Sequence, residues 1–158
     1  MYKNILLPTD GSRLSENAAR AGIALARALG AKVMALHVIP DASEVVLERW
    51  AHGDEDFAGK FSEALASRGE LYVEEVRDAA RRAGVACECR VARGRTPHEG
   101  ILEEAIGGHH DLIVMASHGR NEASGDVFGS ETALVMKLGA TPVLVHHVPR
   151  PAARAGGA

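Results

Sequence analysis

The chain has 158 residues, the length of one domain with a proper buried core. Apolar residues make up 46% and charged residues 25%, and a formal net charge of −3 argues against non-specific nucleic-acid binding, which relies on clustered positive charge. Aromatics at 4% leave little for a base-stacking platform, no apolar run reaches the roughly 18 residues of a membrane span, and the 17 glycines follow no collagen period.

Ile5-Leu6-Leu7-Pro8 is a short apolar run followed by Thr9-Asp10-Gly11-Ser12, so it reads as a buried strand and a turn that opens a helix. Apolar residues at 14, 18, 21, 25 and 29 recur at helical spacing and end at Gly30, a C-cap. Val33 to Ile39, bounded by Gly30 and Pro40, is the second strand. Residues 41 to 56 are mixed and acidic, read as a loop or a short helix around Val46 to Trp50. Helical periodicity returns at Phe61, Ala64, Leu65, Leu71, Tyr72, Val76, Ala79 and Ala83 and stops at Gly84. Val85 to Ala92 is a third strand. Pro97 suits a first helical turn, Ile101, Leu102, Ala105 and Ile106 form its apolar stripe, and Gly107-Gly108 ends it. Leu112 to Ala116 is a fourth strand, Ser117 to Phe128 a polar loop, and Gly129-Ser130 opens a helix through Leu138 that Gly139 stops. Pro142 to Val148 is the fifth strand, and the Pro, Arg, Ala and Gly tail from 149 to 158 is expected to be disordered.

Strict alternation of strands and helices, with nearly continuous apolar strands, predicts a five-stranded parallel doubly wound sheet covered on both faces. Ligands of such sheets sit at the carboxyl ends of the strands, where strand order reverses. Two loops there carry candidate chemistry. Gly129-Ser130 starts a helix whose unpaired N–H groups attract an anion, with Ser130 and Thr132 as further hydroxyl donors. The bland alternative is a plain helix start. Asp10 can accept hydrogen bonds from a ribose or an adenine amino group; alternatively Asp10 or Ser12 caps the first helix.

Pro8-Thr9-Asp10-Gly11-Ser12, the strand end His37-Val38-Ile39, the stretch from Asp111 to Arg120 and the ending Thr141-Pro142-Val143-Leu144-Val145 resemble the universal stress protein family. The similarity runs over about residues 2 to 148 and implies a Rossmann-like domain over 1–148. The nucleotide-binding branch carries Gly-x2-Gly-x9-Gly-Ser/Thr. Gly119, nine residues, Gly129 and Ser130 keep its spacing, while Ala116 stands in place of the first glycine. The resemblance implies ATP, ADP or AMP as ligand, with Mg2+ for a triphosphate. It implies Pro8, Thr9 and Asp10 at the adenosine and Val38 against adenine. Met115, Ala116, Gly119 and Arg120 would line the ribose side, and Gly129, Ser130 and Glu131 would hold the phosphates. The same family has a branch of like fold without nucleotide, and Glu122 and Asp126 repel a triphosphate unless a divalent metal intervenes or they point outward. The resemblance further implies a homodimer in which strand five, Val143-Leu144-Val145, pairs antiparallel with its copy. An unpaired apolar edge would otherwise be a liability.

The remaining features point to no second chemistry. His146 and His147 face opposite ways on a strand, so they do not chelate one metal. Cys87 and Cys89 face the same way and read as packing against a helix; two such close cysteines are no disulfide framework, which agrees with a reducing, cytoplasmic setting. His118 lies in the suspected ligand loop, as ligand contact or as exposed loop residue. No nucleophile stands beside a base and an orienter, and no GxxxxGK[ST] loop is present, so an enzyme ranks last, with slow ATP hydrolysis left open by the family. The expected function is a dimeric stress-response regulator that binds an adenine nucleotide; the alternative is the same role without nucleotide, through protein partners.

Overall fold

The computed structural model describes residues 1–41, 55–118 and 128–147. Along them run β1 (Asn4–Pro8), α1 (Arg13–Leu29), β2 (Lys32–Pro40), α2 (Glu55–Arg82), β3 (Cys87–Gly94), α3 (Pro97–Gly107), β4 (Leu112–Ala116), α4 (Ser130–Leu138) and β5 (Val143–His146). The expected short helix at 46–50, the loop residues 119–127 and the tail 149–158 lie outside the described residues.

All five strands are parallel, in the order β3-β2-β1-β4-β5. The chain builds outward from β1 to β3, then crosses back to place β4 on the other side of β1. Strand order therefore reverses between β1 and β4, where Ile5 and Leu6 pair with Leu112 and Ile113. The continuous apolar runs follow from burial on both faces. Ile5, Leu7, Val33, Ala35, Leu112 and Val114 point to α1 and α2, and Leu6, Leu36, Val38, Ile113 and Met115 point to α3 and α4. Each face has its own core, so alternate residues of one strand serve different layers.

Helix ends follow local chemistry. Ser12 caps α1, its Oγ accepting the Ser15 N–H at 3.2 Å. Gly30, at φ 62°, ends α1, and the Ala31 N–H donates to the Ala26 carbonyl at 2.9 Å. The same bond joins Val85 to Ala80 behind Gly84 and explains a difference from the sequence reading: Val85 belongs to the helix cap, so β3 begins at Cys87. At the end of α3 the left-handed residue is His109, at φ 52°, rather than Gly107 or Gly108. Helix α2 also starts earlier than its apolar pattern, at Glu55, with Asp56 paired to Lys60 and Phe57 stacked on Phe61. Of its expected apolar stripe, Phe61 and Leu71 are exposed and Val76 is buried; Val73 and Ala80, outside that stripe, are buried too. The amino-terminal part of this 28-residue helix projects beyond the sheet, which is only as long as its nine-residue β2.

The amino ends of the strands are pinned. The Asp111 carboxylate accepts the N–H groups of Lys3 at 2.7 Å and Asn4 at 3.0 Å. The Asn4 side chain donates to the Gly108 carbonyl at 2.8 Å. Buried Glu104 of α3 binds Arg90 of β3 and lies 3.5 Å from buried His110.

Candidate functional site

At the carboxyl ends of β1, β2 and β4, beside the reversal of strand order, lies a cleft of about 330 Å³. Its floor is apolar: Pro8, Leu36, Val38, Ile101 and Met115. Its polar wall comes from Thr9 and Asp10 after β1, His118 after β4, and Ser130 and Glu131 at the start of α4. An apolar floor with a few converging polar groups is the usual form of a small-molecule site.

The loop after β1 is fixed by its own side chains. Asp10 Oδ1 accepts the Ser12 N–H at 2.9 Å, a local turn that sets the entry to α1. Thr9 Oγ1 accepts the Gly11 N–H at 3.2 Å and meets Ser15 Oγ at 3.1 Å. The Thr9 N–H donates to the Leu36 carbonyl, and the Thr9 carbonyl accepts His37 Nδ1–H at 2.8 Å. A carbonyl only accepts, so His37 carries its proton on Nδ1. Gly11 sits at φ 72° with the Tyr72 ring against it, where a Cβ would overlap that ring. Asp10 lines the cleft, and its bond from the Ser12 N–H orders the α1 cap, which Ser12 itself provides.

Two helices aim their amino ends at the cleft, and they differ. Helix α3 is capped twice: Thr96 Oγ1 accepts the Glu99 N–H, and Glu131 Oε2 accepts the His98 N–H at 2.7 Å. His98 Nδ1–H donates to the same Glu131 oxygen at 3.0 Å. The Glu99 carboxyl, on the first turn of α3, is held below its usual range by its hydrogen bond from Arg95. Helix α4 starts from Gly129 with no side-chain cap among the described residues. Gly129 has φ −62° and ψ 153°, a conformation open to any residue. Backbone geometry therefore does not require glycine there; its missing side chain leaves open the approach to the N–H groups of Ser130 and the residues that follow.

Of the eleven residues expected from the sequence, nine line this one cleft: Pro8, Thr9, Asp10, Val38, Met115, Ala116, Gly129, Ser130 and Glu131. Gly119 and Arg120 lie outside the described residues, as do Glu122 and Asp126. Two details differ from the reading. The Thr132 hydroxyl is committed to the Ala116 carbonyl at 2.9 Å, and Glu131 is tied to His98. Sequence reasoning missed His37, Pro97 and Ile101 as wall residues. Glycines within helices were the available signal. A Cβ on Gly100 would stand 2.7 Å from Val38, and one on Gly69 would stand 2.7 Å from His37, so both helices close on cleft residues of β2. Ser117, buried at the end of β4, ties the site to its neighbours. Its carbonyl accepts the Gly129 N–H at 2.6 Å, and its Oγ lies 3.2 Å from Nδ1 of both His118 and His147. No group of three or more metal-binding side chains occurs among the described residues.

A parallel doubly wound sheet with its cleft at the reversal point defines an α/β protein of the doubly wound, crevice-bearing class. Comparison with known proteins makes this specific. The model of the universal stress protein family matches residues 1–147, and the chain belongs to that family. Universal stress protein MJ0531 of Methanocaldococcus jannaschii is 33% identical over 150 residues, covering 95% of this chain and 85% of that one. The solved structure of the protein MJ0577 matches with a TM-score of 0.80 at 29% identity, covering 96% of this chain and 99% of that one. A universal stress protein solved in complex with cAMP shares the fold at a TM-score of 0.65 and 24% identity, covering 92% of this chain and 97% of that one. No helix among the described residues is long and apolar enough to cross a membrane.

Proposed function

We propose that this universal stress protein binds an adenine nucleotide in the cleft and acts as a regulator whose bound nucleotide is the signal. The observation that carries this reading is the uncapped start of α4 at Gly129, opening on an apolar cleft at the reversal point. The apolar floor offers Val38, Ile101 and Met115 to a purine, and Thr9 and Asp10 offer acceptors to its amino group or ribose. The first N–H groups of α4 and the exposed Ser130 hydroxyl receive phosphate. The cAMP-bound member of the fold supports the adenine class. With Asp10 turned to Ser12 and Glu131 to His98, the described residues form no cage for Mg2+; a metal arriving with a triphosphate would be held by phosphate oxygens and water.

Protein purified without added nucleotide should release adenine nucleotide on denaturation, near one per chain. Stripped protein should then be stabilised by about 2.7 kcal/mol with Mg-ATP, ADP or AMP at 100 times its dissociation constant. No release, and no melting shift at millimolar nucleotide, would leave the nucleotide-free stress-response role in its place.

We also infer a homodimer through β5. This strand ends the sheet, pairs with β4 alone among the described strands, and leaves Leu144 40% exposed. Sedimentation should give a dimer mass, and Leu144→Lys should shift it to the monomer; a monomeric wild type overturns the inference.

A further inference from the structure

Cys87 and Cys89 lie two residues apart on β3, the outer strand of the sheet, and both pack partly buried against the core beneath α2. Their register partners on β2 are Val33 and Ala35, which face the same core. Each thiol donates to a backbone carbonyl: Cys87 Sγ to Glu88 at 3.4 Å, Cys89 Sγ to Val73 at 3.2 Å. Arg77 of α2 acts on the Cys89 sulfur through its charge and is itself paired with Glu74 at 2.7 Å.

Same-face residues on a strand stand about 6.6 Å apart. A disulfide wants its Cβ atoms at roughly 3.5–4.5 Å, so closing one here would bend a strand bonded along its length to β2. A single bridging ion has no such difficulty. Two metal–sulfur bonds of about 2.3 Å, laid in line, span roughly 4.6 Å, a gap that two side chains on one face of a strand bridge by tilting towards each other, with no bend in the backbone. No third metal-binding side chain completes a cluster among the described residues, which excludes a closed tetrahedral zinc site. Thiolate pairs select Cu(I), a soft ion content with few ligands. Two thiolates and one monovalent cation leave a single negative charge, and the Arg77 guanidinium is already in place to offset it.

We propose that Cys87 and Cys89 form a two-thiolate site for one Cu(I) ion at the edge of the sheet under α2. On binding, each S–H proton leaves to solvent, two S–Cu bonds form, and no electron is transferred. Burial, then the neighbouring thiol, push Cys87 up to about 12, and burial raises Cys89 also. Both protons are therefore present at neutral pH until the metal displaces them. The site is separate from the cleft and independent of the nucleotide reading.

The full reduced chain is titrated anaerobically with Cu(I) in competition with bicinchoninate. One Cu(I) per chain, with a sulfur-to-copper ultraviolet absorption, is expected. Cys87→Ser and Cys89→Ser should each weaken binding by at least about 100-fold, because one thiolate does not hold the ion alone. Arg77→Ala should weaken it by about tenfold, with Arg77→Lys recovering most of the loss. The wild type alone decides the matter if a serine variant fails to fold: no sulfur-to-copper absorption at one equivalent overturns the site. Stoichiometric binding that survives Cys89→Ser also overturns it, assigning the copper to histidines.

Discussion

The two ends of the sheet are built from similar materials and put to opposite uses. At the amino ends, polar side chains are spent on one another and on the backbone. Asp111 holds two N–H groups, Asn4 bridges to Gly108, and Glu104 joins Arg90 and His110. At the carboxyl ends, the loop after β1 is equally well bonded, to its own residues and to Leu36 and His37 of β2, yet these bonds leave about 330 Å³ open above Val38 and Met115. The cause is the polarity of parallel strands. Every crossover delivers a helix carboxyl end, with its carbonyls, to one side and a helix amino end, with its N–H groups, to the other. One side is stapled with side-chain donors and carboxylates; the other presents helix amino ends, doubly capped at α3 and without a side-chain cap from Gly129 at α4.

Substitutions at each end test this contrast. The largest effect is expected from Gly129→Val. Its backbone accepts valine, so the melting temperature should move by no more than about 2 °C, while adenine-nucleotide affinity by calorimetry should fall at least about 100-fold, or roughly 2.7 kcal/mol. Normal binding by that variant would put the phosphates elsewhere. At the opposite end, Asp111→Ala should do the reverse. Losing the acceptor for two N–H groups, one of them exposed to water, should cost about 1–2 kcal/mol in urea unfolding and leave nucleotide affinity unchanged. A change in affinity would mean the two ends are not independent. Ala116→Gly should raise nucleotide affinity about fivefold by removing a methyl from the cleft wall, while glycine in a strand costs about 0.5–1 kcal/mol of stability. Equal or weaker affinity would show that the methyl never obstructed the ligand. The smallest effect concerns pH. Cys87 is raised from 9.0 to about 12 on folding, so its contribution to stability is complete below pH 9 and is lost as pH climbs from 9 towards 12. Thermal melts across that range should fall less steeply for Cys87→Ala than for wild type; parallel curves would contradict the burial of that thiol.

The fold was legible because its signals are local or periodic. Ile5-Leu6-Leu7 and Leu112 to Ala116 are apolar at every position, which a strand requires only when both its faces are covered. The cleft residues on β1, β2, β4 and α4 were legible through the family pattern carried by those segments. What escaped has physical reasons. Pro97 and Ile101 reach the cleft through a crossover, and the Glu131–His98 bond spans 33 residues, so neither leaves a mark on neighbouring sequence. The stop at His109 was missed because a histidine in the left-handed region is held by its bonds, the His110 N–H to Ala105 among them, and not by composition. Phe61 and Leu71 matched a helical period without being buried: Phe61 lies near the amino end of a helix longer than the sheet it covers, and Leu71 faces away from the sheet between the sheet-facing Gly69 and Val73. The glycines divide further than their loops suggest. Beyond helix stops and cleft turns, Gly22, Gly69 and Gly100 sit inside helices where a Cβ would force Leu7, His37 or Val38 to shift.

A hydroxyl has one hydrogen to give. Ser117 Oγ stands 3.2 Å from Nδ1 of His118, which lines the cleft, and 3.2 Å from Nδ1 of His147, just past the last strand. It can donate to one ring at a time, so at least one of the two bonds requires the imidazole to bring its own Nδ1 proton. The tautomers of two histidines 29 positions apart are thereby yoked through a single buried atom. Nitrogen chemical shifts of the two rings are the place to read that exclusion.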